Sequence, residues 1–373
     1  MLDDKQFEDL IRPISNIYND IEYELLMEIA SRFKNYDSLS GSLEWYTKKL
    51  DELGGLNQEA IRIIAKYSNK TEKEVKRVLE EAGYDAIPLQ EYKRIYDAGG
   101  LPIDPSTITI TRVLENSFVE SKELFKLINT KAVEGTKKAY MDVLNQAYLE
   151  VSGGYYDYNT SIQKACKKMA NKGISCATYQ RSNGKTVQMS IESVVRRDTL
   201  TSINQTANKA NDIFIDELEA KHVYVTEHAG ARNKGIGWQN HESWQGKVYL
   251  LEGSNDKYKN FALTTGYGKV DGLAGVNCRH SHYAFFPGYS VIPESPSYNP
   301  ELYDLTQQQR YFERGIRKWK KQLAVYEGLG DEVNIAVCKK KISEWQNNLQ
   351  KFIDDHEELK RDYTRERAYW WDG

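Results

Sequence analysis

The sequence has little cysteine, little histidine, no apolar run of membrane length and no excess of positive charge. Its four cysteines, Cys166, Cys176, Cys278 and Cys338, are irregularly spaced. That excludes a disulfide framework and favours a reducing compartment. No apolar stretch approaches the roughly 20 residues of a membrane-spanning helix. The opening Met1-Leu2-Asp3-Asp4-Lys5 is acidic and lacks an apolar core, so no signal peptide is expected. Lys and Arg total 51 against 54 Asp and Glu, a net charge of -3. A protein whose main task is coating nucleic acid would carry a strong basic excess instead. Neither an internal repeat nor a low-complexity tract occurs. A soluble protein made in a cytosol is the expectation.

What is present is length and aromatic anchors. A chain of 373 residues is too long for one small core and suggests two or three domains. The 26 Tyr and 7 Trp supply enough buried anchors to confine disorder to linkers, despite a mean hydropathy of -0.68.

Most of the chain reads as helix. Phe7, Leu10, Ile11, Ile14, Ile17, Tyr18, Ile21, Leu25 and Ile29 recur at three- and four-residue spacing, predicting one helix over 6–34. Pro13 should kink it or mark its true start. Three shorter helices are expected near 42–52, 57–67 and 71–83, the last opened by the capping-box pattern Thr71-Glu72-Lys73-Glu74. Residues 84–107, rich in Pro and Gly, read as a connector with a helical turn over Gln90–Tyr96. A helical stretch over 110–150, broken near Asn129-Thr130, precedes another over 158–172 that stops at Gly173.

The period then changes. Ile174–Tyr179 and Thr186–Ser190 flank Arg181-Ser182-Asn183-Gly184, a hairpin signal. Ser190 or Ser193 should cap a long helix to about Ala220. Strands are expected at 222–226, 247–251 and 281–286. A Pro/Ser/Tyr-rich segment with Pro293, Pro296 and Pro300 leads to helices over 306–327 and 332–368. The Gly328-Leu329-Gly330 between them marks an αα-hairpin of mixed surface charge. The terminal Tyr369-Trp370-Trp371 should dock, either on a partner or on its own domain. The expected fold is α+β, predominantly helical, with a small β-containing, Gly/His-rich central module and a C-terminal helical hairpin. Its segments are a helical bundle over 1–84, a connector over 85–107, the α+β domain over 108–288, a linker over 289–305 and the hairpin over 306–373.

Chemistry concentrates between His228 and Gly288, which hold four of the six histidines and Cys278. Imidazole and thiolate are preferred ligands of Zn²⁺, and an irregular module would gain from a metal staple. His228, His241, Cys278 and His280 are the candidate ligands of a structural zinc. If the chain is extended there, Cys278, His280 and His282 share one strand face. The alternative is that these histidines bond loop carbonyls around a buried Cys278. The Gly-rich run Thr265–Gly275 matches neither phosphate-binding fingerprint, and its glycines suit tight turns. Cys278 with His280 or His241 could be drawn as a nucleophile and base, with Glu242 as a base beside a metal, but no oxyanion-hole signature accompanies them. Arg196-Arg197 and Arg279 could meet phosphates or clamp internal groups.

Taken together, the same residues resemble the phage minor capsid protein 2 family, relatives of the head-morphogenesis proteins named for the Mu F protein. The matching segments begin with Arg196-Arg197-Asp198, Thr201, Asn204-Gln205-Thr206 and His228-Ala229-Gly230-Ala231-Arg232. They continue through His241, Trp244-Gln245-Gly246-Lys247-Val248, Gly266-Tyr267-Gly268 and Asp271-Gly272-Leu273. They close on Gly275, Asn277-Cys278-Arg279-His280 and Pro287-Gly288, so the resemblance covers about 110–290. One departure is the longer segment Asn233–Asn240 before His241. The resemblance implies a structural, non-enzymatic virion protein of a tailed phage, made in the host cytoplasm and placed inside the head. Its implied partners are the portal protein, the major capsid protein and, weakly and non-specifically, packaged DNA, with no membrane. The competing reading is a metal-dependent hydrolase or injected effector using the His/Cys cluster.

Overall fold

A computed structural model of the chain describes residues 2–34, 42–180, 184–228, 230–293 and 300–366. The architecture is predominantly helical with two small antiparallel sheets. The element order is α1 (Asp4–Ser31), α2 (Ser42–Asp51), α3 (Leu53–Asp85), α4 (Leu89–Asp97), α5 (Thr111–Ser152) and α6 (Tyr158–Lys172). Then come β1 (Ser175–Gln180), β2 (Thr186–Ser190), α7 (Ile191–Glu217), β3 (His222–Val225), β4 (Val248–Leu250), α8 (Phe261–Thr265) and β5 (His282–Phe285). The chain closes with α9 (Pro300–Leu329) and α10 (Glu332–Asp354). No described helix is long and apolar enough to cross a membrane.

The fold divides into two compact units. One gathers Met1–Pro13, Glu72–Leu124 and Arg196–Tyr303; the other gathers Ile14–Thr71, Phe125–Val195 and Asp304–Gly373. Each unit therefore draws on three separate stretches of the chain.

The first unit is built on one face of α7. Ala210 and Phe214 of α7, with Leu218 just past its end, pack with Val223 and Val225 of β3, Tyr249 of β4 and Ala284 of β5. The sheet runs β4-β3-β5, with Val223 opposite Tyr249 on one side and Ala284 on the other. Tyr92 of α4 is buried against this core and stacks on Phe214 at 5.8 Å between centroids. Its hydroxyl accepts the Ala284 backbone N–H at 3.0 Å, so the connector anticipated at 85–107 carries a core anchor.

In the second unit, β1 and β2 form the expected hairpin, with Gln180 opposite Thr186. Gly184 takes φ +76°, and the other turn residues, Arg181-Ser182-Asn183, lie outside the described residues. The α9/α10 hairpin closes over Leu323, Tyr326, Ile335 and Cys338, with Gly330 at φ +70° after α9. Glu22 of α1 is buried, accepts the Ile174 N–H at 2.8 Å and meets Lys321 of α9 at 2.7 Å.

Of the two roles expected of Pro13, marking the helix start is not the one it takes, because it lies inside α1. Three expectations need correction. The helices expected at 57–67 and 71–83 are one helix, α3, because Thr71 does not cap: its hydroxyl donates to the Tyr67 carbonyl at 3.0 Å, within the helix. The break at Asn129-Thr130 is absent from α5. Asn129 instead accepts the Tyr18 hydroxyl at 2.8 Å, and Thr130 donates to the Lys126 carbonyl one turn back at 3.1 Å, so both polar side chains are satisfied without breaking the helix. Finally, α10 stops at Asp354 rather than running to 368, and Arg361 in the following segment pairs with Glu366 at 2.7 Å. Of the two cap candidates for α7, Ser190 takes the role, accepting the Ser193 N–H at 3.4 Å. The terminal Tyr369-Trp370-Trp371 and Pro296 lie outside the described residues.

Candidate metal centre

Three of the four anticipated ligands converge. Among the described residues, His241, Cys278 and His280 form a group whose ligand-type atoms all lie within 4.8 Å of one another. All three are buried, at 2, 1 and 0% exposure. Cys278 Sγ stands 3.6 Å from His280 Nδ1 and 3.9 Å from His241 Nδ1. The long segment Asn233–Asn240 does not displace His241. It forms a 3-10 turn over Gly237–Gln239, and Trp238 Nε1 and Gln239 Nε2 donate to the Asp271 carboxylate at 3.0 and 2.6 Å. These bonds tie the His241 approach to the Gly-rich loop.

The outer face of each imidazole is fixed. His241 Nε2 faces the Asp271 carbonyl oxygen at 3.0 Å, and His280 Nε2 faces Gln245 Oε1 at 2.8 Å. Gln245 Oε1 also accepts the His228 backbone N–H at 3.1 Å, which settles which end of that amide is oxygen. Both partners are acceptors, so both Nε2 atoms carry the proton and both Nδ1 lone pairs turn inward to the sulfur.

His228 stands beside the group rather than in it. It is half-buried, its ring lies 4.5 Å from the His280 ring, and its Nδ1 accepts the Gly230 N–H at 3.1 Å. His282 departs from the shared face expected for Cys278, His280 and His282. Only His282 belongs to β5, and its ring turns to α7, with Nδ1 2.7 Å from Asn208 Oδ1 and Nε2 2.8 Å from Asp212 Oδ1. Tyr267 completes that arrangement by donating to Asp212 Oδ2 at 2.6 Å.

The ligand loop is held from α7 by residues whose roles were not read from sequence. Asn204 Nδ2 and Asn208 Nδ2 both donate to the His280 carbonyl, at 3.0 and 3.2 Å. Gln205 Nε2 reaches the Ala274 carbonyl at 3.2 Å. The signal was available: Asn204, Asn208 and Asn211 sit at helical spacing among Ala207 and Ala210, on the face that is buried.

The electrostatics argue against a nucleophilic cysteine. Burial pushes the Cys278 thiol up to about 11, and burial holds His280 well below the usual histidine range and lowers His241 too. A protonated thiol beside neutral imidazoles is no activated ion pair. Glu242 is exposed and outside the group. The Gly-rich loop serves packing: a Cβ on Gly272 would stand 2.1 Å from the Gly266 carbonyl oxygen, and Gly266 caps α8 at φ +61°. The arginines are internal clamps. Arg196 and Arg279 share Glu8 Oε1 at 2.5 and 2.8 Å, Arg197 pairs with Asp198 at 2.6 Å, and Arg232 donates to the Asp271 and Val276 carbonyls.

Comparison with known proteins agrees with this stretch and extends beyond it. The family model described as phage minor capsid protein 2 matches residues 2–354. A protein named "Structural protein" from Lactococcus phage LL-H is 23% identical over 345 residues, covering 88% of this chain and 89% of that protein. A second "Structural protein", from Lactococcus phage mv4, is 34% identical over 64 residues, covering 17% of this chain and 52% of that protein. No solved structure matches significantly.

Proposed function

Because the chain belongs to the phage minor capsid protein 2 family, we propose that it is a structural component of a tailed-phage virion, placed inside the head at the portal vertex and close to packaged DNA. The observation that carries this reading is the family match over 2–354, which takes in both compact units rather than the His/Cys module alone. Its partners on this reading are the portal protein, the major capsid protein and, weakly, DNA. Support for the DNA-facing role comes from α6, where Lys164, Lys168 and Lys172 recur at i, i+4 and i+8 and line a shallow depression with Lys167. Such a row suits transient, salt-sensitive contact with phosphates rather than tight binding.

Mass spectrometry of purified particles, before and after DNA ejection, is the test. The chain should be present at low copy in full particles and cross-link to the portal protein. Absence from particles would sink the assignment, and cross-links confined to the outer head surface would sink the internal placement.

A metal-assisted hydrolase is the second reading, favoured only by the convergence of His241, Cys278 and His280. It requires metal-dependent turnover that His241→Ala abolishes. The burial of all three donors argues for a staple instead, since catalytic metal sites keep an accessible position for substrate.

A further inference from the structure

We propose that His241 Nδ1, Cys278 Sγ and His280 Nδ1 bind one zinc ion, which cross-links the Gly-rich loop to the sheet. The argument begins with protons. Both Nε2 atoms must donate, to the Asp271 carbonyl oxygen and to Gln245 Oε1, so both Nδ1 atoms are lone pairs aimed at Cys278. A single S–H proton can serve only one of them. Without an ion, one buried imidazole lone pair faces a sulfur that has nothing to give it, an arrangement that costs free energy in a dry interior. A divalent cation accepts from all three donors at once.

The spacing agrees. A tetrahedron with Zn–S of about 2.3 Å and Zn–N of about 2.0–2.1 Å has S···N edges of about 3.6 Å. The observed S···N separations are 3.6 and 3.9 Å. The outer partners are of the kind that metal-bound histidines use, a backbone carbonyl and a side-chain oxygen, and they set the ligating tautomer before any ion arrives. On binding, the Cys278 thiol loses its proton to solvent, and the resulting thiolate and two neutral imidazoles leave the site one positive charge. Three protein donors leave a fourth tetrahedral position for a water. His228 does not fill it in this conformation, because its Nδ1 accepts from Gly230 and its proton therefore sits on Nε2.

Zinc rather than calcium or magnesium follows from the donors, since the hard cations take oxygen ligands. The benefit is structural. The loop from Gly266 to Cys278 has no regular secondary structure, and the ion would fasten its end to His241 and, through His280, to the entry of β5.

The test is metal content and spectroscopy on the full chain. Protein purified without added metal should carry about one zinc per chain by elemental analysis. After chelation, cobalt(II) alone should give tetrahedral ligand-field bands with thiolate-to-metal charge transfer. Cys278→Ala and His280→Ala should lose the metal, while His222→Ala, in β3 and outside the group, should keep it. Gln245→Ala should weaken zinc binding by about 10–100-fold. Full zinc occupancy in Cys278→Ala would overturn the assignment. If the ligand variants fail to fold, the wild-type cobalt spectrum still decides, because tetrahedral binding without thiolate charge transfer is incompatible with a Cys278 ligand. A folded wild-type chain that takes up neither metal would also overturn it.

Discussion

Asn208 grips His282 twice: its Oδ1 accepts the His282 backbone N–H at 3.0 Å and stands 2.7 Å from the ring Nδ1. The same side chain donates through Nδ2 to the carbonyls of Asn204 and His280, at 2.9 and 3.2 Å. One buried amide on α7 thus fixes the chain on both sides of Ser281, between the ligand loop and β5. Asn208→Ala leaves a buried N–H and a ring nitrogen without their acceptor. A loss of roughly 3 kcal/mol is expected, since each orphaned buried group costs about 1–3 kcal/mol. Gln205→Ala removes a single bond from an exposed side chain and should cost under about 1 kcal/mol. Thermal and denaturant unfolding of the two variants checks this, and equal losses would show that Asn208 is no special anchor.

These asparagines also mark where the sequence stopped being legible. Periodicity found α1 because Phe7, Leu10, Ile11, Ile14 and Ile17 are all buried apolar residues. It found α7 as well, but not the Asn204, Asn208 and Asn211 that share its buried face with Ala207 and Ala210. Local cap and break signals misled at Thr71 and Asn129, where a hydroxyl and an amide found partners that leave the helix whole. At the candidate centre the residue types pointed to His241, Cys278 and His280, because few side chains can bind zinc. The exclusion of His228 and the diversion of His282 to Asn208 and Asp212 depend on tautomers and ring orientations, which no linear spacing encodes.

The acid limb of stability should come in part from Glu192. Burial alone would raise its carboxyl, but Lys321 and Arg317, at 3.0 and 3.1 Å, more than offset that and hold it at about 2. The unfolded chain titrates this group near its ordinary value of 4.5. Its contribution is therefore fully present above about pH 4.5 and is lost as pH falls toward about 2, where the native state too becomes protonated. The shift corresponds to roughly 3 kcal/mol as an upper bound. Glu192→Gln should flatten the stability curve over that window while leaving its shape above pH 5 unchanged. A parallel acid limb in the variant would assign the pH dependence elsewhere.

Lys321 is the cation on which a second carboxylate depends. Glu22 has no exposed side-chain surface, and its Oε2 meets Lys321 Nζ at 2.7 Å while its Oε1 accepts from Ile174. Lys321→Met removes the charge and keeps the stem, leaving Glu22 buried without its cation. Breaking a buried pair from one side costs about 3–5 kcal/mol. The double variant Glu22→Gln with Lys321→Met should recover part of that loss, because position 22 then carries no charge and Glu192 keeps Arg317 at 3.1 Å. A cycle of unfolding free energies measures the coupling, and no recovery would mean the cost lies in packing around the lysine stem.

Gly135 should reverse the usual rule for helices. Replacing an interior helical glycine by alanine ordinarily stabilises by up to about 1 kcal/mol, because it restricts the unfolded chain. Gly135 lies inside α5, and a Cβ there would stand 2.1 Å from the Ser175 carbonyl oxygen and 2.9 Å from Ile174 Cγ2. The oxygen is backbone at the start of β1, next to the Ile174 N–H that Glu22 holds, so it cannot swing aside like a side-chain tip. Gly135→Ala should therefore destabilise by about 1–3 kcal/mol, the range for overpacking a fixed contact. Gly54, in the first turn of α3, has nothing within 4 Å of the same position, and Gly54→Ala should raise stability by a few tenths, up to about 0.5 kcal/mol. Opposite signs in the two unfolding midpoints are the expected outcome. A stabilising Gly135→Ala would show that α5 and β1 can part without cost, and that the close approach at this glycine does not constrain the unit.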